Sequence, residues 1–264
     1  AIEPQVKQLN AAPQVAIGTL GRIVDLVRSR HLSLLSTQFL VLDEADQMLE
    51  AGFADELDMI VDAIPRGLRV QCLLFCATLS NQLREVGKRL CHNPDMFDVS
   101  AEEAPKQLQM LSMPVTPSAR ASLLVDLLLV HSPRRAIIFT NTKMETVELA
   151  GDLSENWTGG TCNALHGDLP QFQRKRIMDS FRNGNLEVLV ATDVAARGLH
   201  IEGLDLVIHC GIPISSSGGA RRNKSARDVI NVEQFVHRTG RTARMGESGT
   251  SVLLYDPGAG ETAL

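Results

Sequence analysis

The stretch Phe39-Leu40-Val41-Leu42-Asp43-Glu44-Ala45-Asp46 decides the fold class. Its first four residues form a continuous apolar run, too short for a helix and typical of a strand buried in a parallel sheet. The acids that follow then stand at the C-terminal end of that strand, where open α/β sheets take their ligands. Two adjacent carboxylates at such a place can divide the work of phosphoryl transfer to water. Asp43 would hold a hydrated Mg²⁺ and Glu44 would position the attacking water. By itself the run is equally readable as a solvated strand end.

Downstream, Phe53, Leu57, Ile60, Val61 and Ile64 are spaced for one face of a helix that Pro65 ends. Residues 70–75 read as a second buried strand, Ser80 as the cap of a helix carrying Leu83, Val86 and Leu90, and residues 96–99 as another short strand. This alternation predicts a parallel sheet covered on both faces. Near Ser100 the pattern shifts. Pro105, Pro114 and Pro117 punctuate a segment without helical periodicity, so 101–118 reads as a linker passing into an edge strand. The rhythm then restarts over 119–264. Leu123, Leu124, Leu127 and Leu128 mark a helix, 136–139 a strand, and Val147 and Leu153 the next helix. His166-Gly167-Asp168 closes a strand, Pro170 starts a helix, and 186–191 and 204–208 are further strands. Residues 214–230 break the rhythm: Ser215 to Gly219 is flexible, and Arg221, Arg222, Lys224 and Arg227 are basic. They read as a solvated loop or as an accessory RNA-contacting loop.

A net charge of -5 over 264 residues gives no global attraction to nucleic acid, so phosphate binding has to come from local arginines and backbone N–H groups. Hydrophobic residues at 44%, with no apolar stretch of about 18 residues, predict a globular chain without a membrane span. The chain opens on Ala1 without the layout of a secretory signal, and reads as processed, trimmed or part of something longer. Cys91 precedes His92, but no second Cys/His cluster completes a zinc pattern. The five cysteines, Cys72, Cys76, Cys91, Cys162 and Cys210, are therefore expected as free, mostly buried thiols. That usage suits a reducing, intracellular compartment, with nothing to separate nucleolus, cytoplasm and organelle matrix. One Trp and one Tyr disfavour an aromatic base-stacking platform.

A second cluster is His237-Arg238-Thr239-Gly240-Arg241-Thr242-Ala243-Arg244. Its three arginines, three residues apart, are expected along one face of a short helix or turn. Arginine stays charged and grips phosphate bidentately, so Arg241 and Arg244 would approach a γ-phosphate as arginine fingers. A basic surface patch is the competing reading.

Together the clusters resemble the DEAD-box RNA helicase family. Asp43-Glu44-Ala45-Asp46 matches its name-giving motif, and Cys76-Ala77-Thr78 stands where the family usually has Ser-Ala-Thr. Ile138 to Thr142, His166-Gly167 with Gln171 and Arg174, Val190 to Leu199, and His237 to Arg244 match further family motifs in order and spacing over most of the chain. The resemblance implies an α/β protein of two RecA-like parallel-sheet domains in tandem. Residues 1–100 would be the C-terminal part of a first domain incomplete at its N-terminus, and 119–264 the second. It implies ATP and Mg²⁺ as cofactors, the metal held at Asp43 and Glu44 largely through water. Gly198, His200, Arg241 and Arg244 would join those acids on the nucleotide side. Asp46, Cys76, Ala77, Thr78, Gln171 and His237 would couple nucleotide to RNA. Thr19, Gly21 and Arg22, similar to the family's Thr-Pro-Gly-Arg, would touch RNA backbone from a helix N-terminus, and Arg174 and Thr192 from the second domain. Such contacts carry little sequence specificity.

The chain departs from the family in several places. It contains no Gly-Lys-Thr or Gly-Lys-Ser, so it lacks the phosphate-cradling loop and is expected to be inactive alone. Leu20 replaces a proline, Cys76 a serine whose hydroxyl is the stronger donor, and His200 an aspartate. The expected function is an ATP-dependent RNA helicase that binds RNA backbone and remodels RNA or ribonucleoprotein, its two domains closing so that Arg241 and Arg244 reach Asp43 and Glu44. Ribosome assembly is the family's commonest employment. A degenerate RNA-binding scaffold or assembly factor without turnover, and a DNA helicase or remodelling motor, are the alternatives. Expected partners are RNA or a ribonucleoprotein particle and protein cofactors, with no membrane and no obligate homo-oligomer.

Overall fold

The computed structural model describes residues 2–50, 52–65, 70–77, 79, 81–91, 94–98, 107–193, 204–213, 231–243 and 247–259. The chain divides into two compact units, Ala1–Ser100 and Ala101–Leu264.

In the first unit, α1 (Glu3–Leu9) and α2 (Leu20–Arg28) precede β1 (Phe39–Leu42). Then come α3 (Ala45–Glu50), α4 (Ala54–Asp62), β2 (Gln71–Leu74) and α5 (Asn81–Leu90). The strands pair in parallel, Phe39 opposite Gln71 through Leu42 opposite Leu74. One sheet face is packed: Leu42, Leu49, Leu57, Leu83 and Val86 form a core against which Leu40 and Leu74 rest. On β1 the alternate residues Phe39 and Val41 are exposed, because side chains on a strand point alternately to opposite faces. The expectation of strands buried on both faces therefore fails for this unit. β2 is shorter than 70–75 and only half-buried. α4 ends three residues before Pro65, consistent with the bias of a residue preceding proline away from helix. Residues 94–98 carry no strand, and Met96 and Phe97 are exposed: an apolar run becomes a strand only where a neighbour takes its backbone groups. Val99, like Ser80 and His92, lies outside the described residues.

The second unit holds a six-stranded, all-parallel sheet. Its elements are β3 (Leu108–Pro114), α6 (Arg120–His131), β4 (Ala136–Thr140), α7 (Lys143–Asn156), β5 (Cys162–Leu165), α8 (Gln171–Arg182), β6 (Val188–Thr192), β7 (Leu206–Cys210), α9 (Val232–Thr239) and β8 (Gly249–Tyr255). The strand order is β3-β8-β7-β4-β6-β5, with β3 at one edge. β6 and β7 each begin two residues later than their apolar runs suggest. β4, β6 and β7 are buried throughout. The pleat explains why their runs do not alternate in polarity. Ile138, Val190 and Ile208 face one core with Leu124 and Leu128 of α6 and Leu149 and Leu153 of α7. Ile137, Leu189 and Val207 face another with Met178 and Phe181 of α8. Both faces need apolar side chains, as in doubly wound folds. Among the described residues no helix is long and apolar enough to cross a membrane.

All five cysteines are free, but only Cys210 is buried; Cys76 is exposed and the other three are partly covered. The expectation of mostly buried thiols is thus corrected, chiefly because β2 is covered on one side. Burial pushes the thiols of Cys162 and Cys210 up to about 12.

Candidate functional site

In the first unit the site grows from the exit of β1. Phe75 N–H donates to Leu42 O at 2.8 Å and Ala45 N–H to Phe75 O at 3.0 Å, so the acid-bearing turn is stitched to the end of β2. Within it Glu44 takes a left-handed backbone, φ 53°, and its N–H donates to Asp43 Oδ1 at 3.0 Å. A left-handed conformation in a residue with a Cβ costs of order 1–3 kcal/mol and is held only by surrounding structure. Here it leaves the Asp43 and Glu44 side chains exposed at the strand end. Asp46 does the opposite. It is 3% exposed, and its Oδ1 accepts from Gln47 N–H at 3.0 Å while Oδ2 accepts from Ala77 N–H at 3.1 Å. That bond joins the acid turn to Cys76-Ala77. Burial, and then the Asp46 charge, push the Cys76 thiol up. Thr78 lies outside the described residues.

Thr19 is the extended residue before α2 and makes no side-chain cap bond. Leu20 starts the helix and packs against the unit's core, so the turn survives without a proline. A Cβ on Gly21 would meet nothing within 4 Å. Arg22 is partly covered, and its Nη1 is buried without a hydrogen-bond partner.

In the second unit the C-terminal ends of β4, β6 and β7 converge on Arg238. Its Nε donates to Asp193 Oδ1 at 2.7 Å, and its Nη2 to Asp193 Oδ2 at 2.6 Å and Asn141 Oδ1 at 3.0 Å. The guanidinium carbon lies 5.2 Å from the centre of the Phe139 ring. Asn141 Nδ2 donates in turn to Ile212 O at 2.8 Å. Beneath, Thr239 Oγ1, His209 Nε2 and Ser251 Oγ lie 3.1–3.2 Å apart. The expectation of three arginines on one face is therefore corrected. α9 ends at Thr239, Arg238 points inward at 2% exposure, Arg241 stands partly covered in the turn that follows, and Arg244 lies outside the described residues. The cause is Asp193, whose carboxylate gives a buried guanidinium its counter-charge. Sequence reading missed Phe139, Asn141, Asp193 and Arg238 as site-building residues. The available signal was an acid directly after the apolar run of β6.

Thr242 Oγ1 donates to Leu204 O. Gly249 lets the turn sit this close, since a Cβ there would stand 2.0 Å from Thr242 Oγ1. Gln171, the first residue of α8, is exposed, and His237 is partly covered. Arg174 is partly covered with its Nε buried and unpartnered, as is Nδ1 of His166. Thr192 is 9% exposed, which leaves its side chain little surface to offer a ligand. Gly198, His200 and the 214–230 segment lie outside the described residues.

The donor set fits Mg²⁺. This ion keeps most of its waters and takes one or two carboxylates together with phosphates, and the end of β1 offers two exposed carboxylates. Asp43 and Glu44 would hold it; it would neutralise charge on a transferring phosphoryl group.

Comparison with known proteins gives the lineage of this arrangement. Residues 1–86 match the model for DEAD/DEAH box helicases, and 119–246 that for the helicase conserved C-terminal domain. The chain belongs to the DEAD-box helicase family. It is 39% identical over 258 residues to the mitochondrial DEAD-box ATP-dependent RNA helicase 9 of Arabidopsis thaliana, covering 96% of this chain and 39% of that protein. It is 36% identical over 257 residues to the ATP-dependent RNA helicase CshA of Listeria monocytogenes, covering 97% and 46%. The chain thus spans under half of these relatives' length. Among solved structures it is similar to S. cerevisiae Dbp5 bound to RNA and ADP BeF3, at a TM-score of 0.76, 29% identity, and coverage of 92% of this chain and 59% of that one. A Dbp5 variant bound to a Gle1 variant and IP6 gives 0.68, 31%, 92% and 58%. The DEAD-box chain has parallel α/β sheets in both units, and its neighbours are tandem RecA-like helicase cores.

Proposed function

We propose that the polypeptide carrying this chain is an ATP-dependent RNA helicase that grips RNA backbone and remodels RNA or ribonucleoprotein by ATP-driven closure of its two RecA-like domains. The observation that carries this reading is the division of labour in the acid turn. Asp46 is consumed by its bond to Ala77, while Asp43 and Glu44 stand exposed at the strand end. A retired ATPase has no physical need to hold Glu44 in a left-handed conformation at that end. Unpartnered donors on Arg22 and Arg174 support phosphate contacts from each unit. ATP hydrolysis also requires a phosphate loop, and no Gly-Lys-Thr or Gly-Lys-Ser occurs in these 264 residues, so the chain by itself is inactive in this reading. Employment in ribosome assembly and protein cofactors rest on family resemblance, and a reducing intracellular compartment on the five free cysteines.

A second reading, an RNA-binding scaffold without turnover, is favoured by Cys76, whose exposed thiol stands where the family usually has a serine hydroxyl, the stronger donor. ATP hydrolysis by the natural polypeptide, with and without RNA, beside Glu44→Gln, separates the two. RNA-stimulated turnover that the substitution abolishes supports the helicase. RNA binding without Glu44-dependent turnover refutes it.

A further inference from the structure

Outside the motif-bearing turns, two cysteines of the first unit meet. Cys72 lies in β2, in register with Leu40 of β1. Cys91 directly follows α5, its N–H donating to Gly87 O at 2.8 Å. Its Sγ approaches the carbonyl oxygen of Cys72 at 3.8 Å, which brings the two residues together from β2 and the end of α5. Both are free and partly covered, so a small reagent can reach them while the fold holds them together. Neither belongs to the acid turn or to the arginine cluster.

We propose that Cys72 and Cys91 form a dithiol modification site, converted to an intramolecular disulfide by exchange with an oxidised low-molecular-weight disulfide of the glutathione class. In the first step the Cys91 thiolate attacks one sulfur of the small disulfide. The S–S electron pair leaves on the other sulfur, which takes up a proton from solvent, and a mixed disulfide remains on Cys91. In the second, Cys72 gives its proton to solvent and attacks Cys91 Sγ, expelling the second small thiolate. Two protein thiols are oxidised and one small disulfide is reduced to two thiols.

The order follows from the surroundings. Burial raises the Cys91 thiol, but its hydrogen bond with Cys72 lowers it again. For Cys72, burial, the neighbouring Cys91 charge and the same hydrogen bond all act upward. In the proposal Cys91, just past the end of α5, attacks before Cys72 inside β2, and because both thiols stay above their ordinary value the exchange is slow. Oxidation of this kind in a reducing compartment is transient and sensing in character. The ring it closes runs from residue 72 to residue 91 and contains Cys76-Ala77-Thr78 and α5. The bond would thus tie together both ends of the segment that Asp46 holds through Ala77.

The test uses the natural polypeptide, reduced, incubated with excess glutathione disulfide, alkylated under denaturing conditions and digested with trypsin. The peptides 70–84 and 90–106 are expected as one cross-linked species in most molecules, about 2 Da lighter than the two reduced peptides together. Because 70–84 carries both Cys72 and Cys76, the species must persist in Cys76→Ser and disappear in Cys91→Ser. Cys91 stands just past a helix end, so its replacement leaves the strand register intact where Cys72→Ser endangers folding. Recovery of both peptides fully alkylated, a stable glutathione adduct without a cross-link, or a cross-link lost in Cys76→Ser overturns the proposal.

Discussion

Arg238 and Asp193 form a bidentate ion pair across 45 residues of sequence, with the arginine side chain 2% exposed and the aspartate 18%. The pair ties the arginine cluster to the end of β6, and Asn141 extends the tie to β4. Removing one partner of a buried pair strands a charge, at about 3–5 kcal/mol. Arg238→Ala is expected to destabilise the second unit by that amount, and Arg238→Lys by less, since an ammonium still supplies the counter-charge to Asp193 although it cannot make the two-pronged bond. Urea unfolding checks this; a loss under about 1 kcal/mol for Arg238→Ala would show the pair to be ornamental.

Gly249 should tolerate no side chain. A Cβ there would stand 2.0 Å from Thr242 Oγ1 and 2.7 Å from Ala243 N. Gly249→Ala has to displace the turn that carries Arg241, at about 1–3 kcal/mol for overpacking. In the helicase reading it also lowers ATPase activity. A thermal melt within a degree of wild type would contradict the close fit.

Asp46 and Ala77 predict a coupling between distant amides. Asp46→Ala removes the acceptor of both the Gln47 and Ala77 N–H groups and should cost about 1–3 kcal/mol. Amide exchange at Ala77 should accelerate in the variant. Unchanged protection there would place the bond's contribution elsewhere.

His209 makes stability depend on pH. Burial first, and then the positive charge of Arg238, hold its imidazole well below the ordinary histidine range. The folded protein therefore refuses a proton that the unfolded chain accepts. Stability is full above the unfolded value near 6.5 and is lost as pH falls below it, by about 1.4 kcal/mol per pH unit. Urea melts on either side of that value should show the slope, and His209→Gln should remove it. An equal slope in the variant would assign it to other groups.

Much of this was legible in the chain because the signals are local. Apolar runs ending in acids, and leucines at helical spacing, mark β1, β4, β6, β7 and α6 wherever they occur. The misreadings share one cause. Residues 96–99 have the apolar composition of a strand, but composition does not supply a pairing backbone, and the described residues 94–98 carry no strand. Phe39 and Val41 look as buried as Ile137 and Phe139, yet they are exposed, because nothing among the described residues covers their face.

By itself the sequence determined the α/β class, the parallel rhythm and the position of Asp43 and Glu44 at a strand end. Those follow from side-chain periodicity and chain order, which any short window displays. The tertiary structure alone decided which of like residues does what. Arg238 and Arg241 share a motif and a spacing, but Arg238 is drawn inward to 2% exposure by the Asp193 carboxylate while Arg241 stays partly covered in the turn. Asp43 and Asp46 share a tetrapeptide, but only Asp46 meets the Ala77 amide, 31 residues away. Burial and pairing are set by what packs from elsewhere in the chain, and no local pattern carries that information.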